Sequence, residues 1–263
     1  MNQQEILYGY SSVAIVVALF AMIILFNEMG FRVGRFVQSR TDSEVKSLTG
    51  SIQASILGLL ALLLGFTFSM SMQRYDNRSM ALIDEANAIG TAVLRVQLLP
   101  EEFREETNKL FKQYIQLRVE IGQINLTKIE ERATYNKKIA DLQNQLWEVA
   151  ISATDADPRP ATTGTYVKSL NDVIDSQGKR NALLQMQVPE VVLLLLFIVF
   201  ISSGGIMGYS AGLSGKRIFA PIVLVSLLIT LIVFIIIDLD RPKRGLIQVN
   251  QSVMVDLLNG YRK

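Results

Sequence analysis

Residues 47–73 read SLTGSIQASILGLLALLLGFTFSMSMQ, a run without a single Asp, Glu, Lys or Arg. A helix rises 1.5 Å per residue and a hydrocarbon core is about 30 Å thick, so this run reads as a membrane span with its centre near 52–72. Past Gln73 the chain turns polar without breaking. Arg74 to Leu99 contains no Pro and only Gly90, so span and extension are predicted to form one rod of about 70 Å, stopped at Pro100.

Three more charge-free runs flank it. Leu7–Phe26 lies between Glu5 and Glu28, Val191–Ala211 follows Pro189-Glu190, and Ile218–Ile237 is almost all Ile, Val and Leu. Residues 1–6 carry no Lys or Arg and the first run ends Leu25-Phe26-Asn27, which reads as a retained anchor rather than a cleaved leader. Only Lys216 and Arg217 separate the last two runs as charges, so they form a helical hairpin. The predicted organisation is all-α and integral to a membrane. Residues 1–73 hold spans one and two, 74–187 a polar helical bundle, 188–239 spans three and four, and 240–263 a short polar tail.

Composition narrows the chemistry. The 263 residues are 50% apolar and 19% charged, with no Cys and no His. That removes thiolate nucleophiles, disulfides, zinc and iron–sulfur sites, imidazole bases and Ser-His-Asp triads. A net charge of +2 does not suggest nucleic acid. No enzyme activity, cofactor or metal is expected.

The insert 74–187 carries 15 basic and 16 acidic residues. Pro100-Glu101-Glu102 resembles the first turn of a new helix whose stripe is Phe103, Leu110, Tyr114, Leu117 and Ile121. Gly122 to Asn125 breaks it. A third helix is predicted from Thr127 to Ala153, a long loop over Thr154–Gly164, and a fourth helix from Tyr166 to Gln187. Such amphipathic helices bury their stripes on one another as an antiparallel bundle.

Reading the second span at three- and four-residue steps gives Ser51, Ser55, Gly58, Leu62, Gly65, Ser69 and Met72, a seam of small residues on one face. It suits close helix packing, or a pore wall where copies of the chain surround an axis. The third span carries Gly204, Gly208 and Gly212, read as packing against the first or fourth span. No ionisable residue sits at mid-depth, which argues against coupled transport. Charges gather at the margins instead: Arg74, Asp76, Arg78, Glu190, Asp238, Asp240, Arg241 and Arg244, with Asp84 and Glu85 further along the extended helix. The acid pair is expected on a solvated face or paired with Arg78 or Arg95. Basic residues divide almost evenly between the two sides. The three Arg after the first span favour an outside N-terminus, and the basic tail favours the reverse.

The stretch from Leu64 to Arg78, LGFTFSMSMQRYDNR, followed by Asp84 to Arg95, DEANAIGTAVLR, and by Leu98-Leu-Pro100, resembles the core of a bacterial membrane family labelled bestrophin-like. Tyr114, Arg118 and the tail from Asp238 to Val249, DLDRPKRGLIQV, are similar to it too. Ser79 stands where that pattern has a second Arg. Bestrophins are pentameric anion channels, so the resemblance implies a homo-oligomer in the bacterial inner membrane that passes ions, anions first, with the insert as vestibule or gate. The competing expectation is a membrane-anchored sensor or scaffold whose insert binds a protein. The expected partners are the lipid bilayer, further copies of the chain and ions.

Overall fold

The computed structural model describes residues 10–126, 128–217, 219–242 and 245–261. The described residues are mostly helical and contain no strand. Among the described residues four helices are long and apolar enough to cross a membrane, and the chain divides into two units: Met1–Gln73 with Gln187–Arg241, and Arg74–Met186 with Pro242–Lys263.

In the first unit, α1 (Ser12–Val37) is followed by a single 3-10 turn and by α2 (Ser43–Arg95). At 53 residues, α2 is longer than the predicted rod, about 80 Å, because it begins at Ser43 and runs unbroken past Gln73. A Val96–Leu98 turn ends it before Pro100. The third and fourth spans are α6 (Glu190–Leu213), with Pro189 as its N-cap, and α7 (Phe219–Asp240). Gly215 makes the hairpin between them at φ +71°, a left-handed conformation that side chains resist.

Glycine sets the packing of α6. Gly204 lies on Ile23, Gly208 on the Asn27 backbone and Gly212 on Phe31 and Gly34, so any Cβ there would collide with α1. Gly30 and Gly34 of α1 return the contact against Gly205 and Tyr209. Asn27 Nδ2 donates to the Gly204 carbonyl at 3.0 Å, placing a polar bond inside the contact. Leu19, Ile23, Leu64, Leu196, Phe200 and Val233 form the apolar centre of this unit.

The second unit is built from the later half of α2, α3 (Glu101–Gln123), α4 (Ile129–Ala156), α5 (Thr165–Gln185) and α8 (Ser252–Gly260). Glu101 and Glu102 occupy the first turn of α3, where the positive helix end favours them. Phe111, Tyr114, Leu146, Tyr166 and Leu170 are fully buried. The tail is more than a polar end: Met254 and Leu258 of α8 insert into the same core, and the Tyr261 hydroxyl donates to Asn108 Oδ1 at 2.8 Å.

The expected long loop over Thr154–Gly164 is corrected. Helix α4 runs to Ala156, and Pro160–Gly164 forms a π-helical turn leading into α5. Asp157 closes the gap. Its carboxylate accepts from Arg159 Nε at 2.7 Å and from Thr162 Oγ1 at 2.7 Å, replacing loop with a side-chain staple.

Candidate functional site

Every residue of the α2 seam is exposed in the protomer: Ser51, Ser55, Gly58, Leu62, Gly65, Ser69 and Met72. The opposite face, Leu60, Leu64, Thr67 and Ser71, is buried. A methyl placed on Gly58 or Gly65 would meet no atom within 4 Å. Gly58 and Gly65 therefore meet no neighbour in the described part of their own chain, in direct contrast to Gly204, Gly208 and Gly212. Ser51 Oγ donates to the Ser47 carbonyl at 3.3 Å and Ser55 Oγ to the Ser51 carbonyl at 3.0 Å. Both hydroxyl protons are spent on the helix, leaving oxygen lone pairs on its outer face.

The margin charges do not form one group. At one end of the span bundle, Arg241 Nη1 donates to the Tyr10 carbonyl at 2.5 Å and to Ser12 Oγ at 3.2 Å. Asp240 Oδ2 accepts from the Val188 N–H at 2.8 Å. The end of α7 thereby holds the starts of α1 and α6. Asp238, Asp240 and Arg241 are all buried, so they work inside the protein and not as surface anchors. At the other end Glu28 accepts from Arg32 Nε and Arg217 Nη2, each at 2.9 Å, and the Arg217 guanidinium lies 4.8 Å from the Phe31 ring centre. Arg74 and Glu190 are half-buried and Asp76 is exposed. Arg244 lies outside the described residues.

Arg78 is buried in the second unit and donates to the carbonyls of Leu183 at 3.2 Å and Met186 at 2.6 Å, capping the C-terminal end of α5. The expected pairing of the acid pair with Arg78 or Arg95 is corrected as well. Asp84 pairs with Lys179 Nζ at 3.0 Å near the surface. Glu85, with no exposed area, pairs with Arg118 Nε at 2.5 Å and Arg180 Nη1 at 2.6 Å. Arg180 Nη2 also donates to Gln251 Oε1 at 2.9 Å, so the tail joins the network. Adjacent helix residues point about 100° apart, which sends one carboxylate to the surface and the other to the core. Burial alone would raise the Glu85 pKa, but Arg118 and Arg180 outweigh it and hold the carboxyl below its ordinary range.

In the sequence Arg180 stands out only as one of the basic residues assigned to one side of the membrane, and Arg118 only through the resemblance. A signal was present: Arg118 falls one helical turn from Tyr114 and Ile121 on the apolar stripe of α3, and Arg180 falls between Val173 and Leu184 on that of α5. An Arg in an apolar stripe requires a buried counter-charge.

A family model described as a bestrophin-like domain matches residues 14–254. No curated protein matches the chain. Among solved structures, a tryptophan-to-alanine mutant of a bacterial bestrophin homologue from Klebsiella pneumoniae is 15% identical, with a TM-score of 0.67 over 97% of this chain and 99% of that one. An isoleucine-to-threonine mutant of such a homologue from the same organism is 13% identical, with a TM-score of 0.66 over 94% and 99%. At these identities the likeness is one of fold.

Proposed function

The chain belongs to the bestrophin-like family, and from that premise we propose that it is a homo-oligomeric, passive anion channel of the bacterial inner membrane, with the 47–73 part of α2 as its pore wall. The observation that carries this reading is the bare seam. Small residues in lipid are favoured where another helix approaches or where water must be lined. The described part of the protomer supplies no such helix. A ring of copies turns the seam inward, where Ser oxygens and backbone beside Gly58 and Gly65 face water without a buried charge. One helix per subunit cannot enclose a path, so the proposal requires several copies around an axis. Family likeness supplies the ion sign, and the lack of Asp, Glu, Lys or Arg across 47–73 favours passive flow over coupled transport.

Purified protein in liposomes is expected to pass chloride above empty vesicles. Gly58→Leu or Ser55→Leu, which fill the seam without touching the protomer core, should change that flux severalfold. A homogeneous oligomer that passes no ion, or a protein that is monomeric in mild detergent, would sink the proposal.

A further inference from the structure

The polar network of the second unit carries more positive charge than negative. Arg118 and Arg180 are 1% and 3% exposed and share the single carboxylate of Glu85. Arg132 adds a third guanidinium, donating through Nη1 to the carbonyls of Ile121 and Ile124 at 3.3 Å each. Burial and the like charges of Arg118 and Arg180 lower its pKa, which marks all three as electrostatic neighbours.

Two donors in this cluster lack acceptors. Arg118 Nη1 is cut off from solvent and bonds to nothing among the described residues. The fully buried Tyr114 hydroxyl accepts from Gln143 Nε2 at 3.3 Å and makes no other hydrogen bond among the described residues, so its proton has no acceptor. Tyr114 and Arg118 lie one helical turn apart on α3 and interact electrostatically. Buried donors and buried charge both demand compensation.

We infer that the second unit holds a small monovalent anion, a halide in size, on Arg118 Nη1 and the Tyr114 hydroxyl, beside the Glu85–Arg180 pair. Chloride satisfies both donors at once and offsets the excess positive charge. The depth of Arg118 disfavours a carboxylate or phosphate, which would need an open cleft. This inference does not depend on conduction: it concerns a resident ion of the helical insert, and it stands or falls apart from any flux.

The test uses the full chain in detergent. At constant ionic strength, replacing gluconate by chloride should raise the melting midpoint saturably, by about 5–10 °C at a hundredfold excess over Kd. Tyr114→Phe, which removes one donor and leaves the ion pairs intact, should shift that dependence to higher chloride. Crystals soaked in bromide should show an anomalous peak beside Arg118 Nη1. Equal midpoints in gluconate and chloride, a chloride effect unchanged in Tyr114→Phe, or ordered water without a bromide peak at that atom would each overturn the inference.

Discussion

Glu85 concentrates the chemistry of the second unit in one side chain. Neutralising it as Glu85→Gln leaves Arg118 and Arg180 buried without the carboxylate they share, a change that costs about 3–5 kcal/mol. Asp84→Asn, one residue away, breaks only the exposed pair with Lys179 and costs about 0–1 kcal/mol. Thermal denaturation of the two variants beside the parent protein checks this contrast. Because the folded-state carboxyl titrates below its ordinary value of 4.5, its stabilisation is complete above that value. It is lost as pH falls through the lowered one. The parent should therefore lose stability over this acid range by an increment that Glu85→Gln does not show, measured as melting midpoint against pH. Arg78 teaches the same lesson with backbone as partner: a charge at a span margin is spent on capping α5 inside the protein.

Two glycine-bearing helices behave oppositely. In α6, Gly208→Ala drives a methyl into the backbone of Asn27, an overpacking that should cost about 1–3 kcal/mol or more. In α2, Gly58→Ala meets no atom and should leave the protomer's midpoint unchanged or raised. Denaturation of both variants in one detergent measures the difference. Small residues marked both helices in the sequence, and their spacing was legible. That the α6 glycines pack on the first or fourth span was read there too; which of those two they meet, and whether the α2 seam meets any helix of its own chain, was not, because periodicity names a face and never its partner. The glycines of α1 show a second limit. Hydropathy ends the first run at Phe26, whereas the helix continues to Val37 and brings Gly30 and Gly34 onto α6. Apolar runs register depth in lipid, and a helix stops only where its backbone bonding stops.

At the scale of the molecule, four spans, an all-α chain and a long second helix were readable because each spans many turns of strong periodicity. The closing of the second unit by its distant tail was not. Helix α8 has nine residues, too few for a stripe to stand out or for the segment to be helical alone. Its contribution is tertiary. Leu258→Ala should cost about 2–5 kcal/mol, less to the extent that the site collapses, and should raise hydrogen exchange across α3, the helix whose Asn108 receives the Tyr261 hydroxyl.

The contact of α1 with α6 also has a history. Asn27 and Gly204 lie 177 residues apart, and a ribosome adding about 5–20 residues per second needs roughly 9–35 s to cover that distance. For that interval α1 waits in the bilayer with its glycine face and the Asn27 amide unmatched, open to any other small-faced helix being inserted nearby. The contact that locks α1 onto α6 is therefore also a step of biogenesis exposed to pairing with the wrong chain.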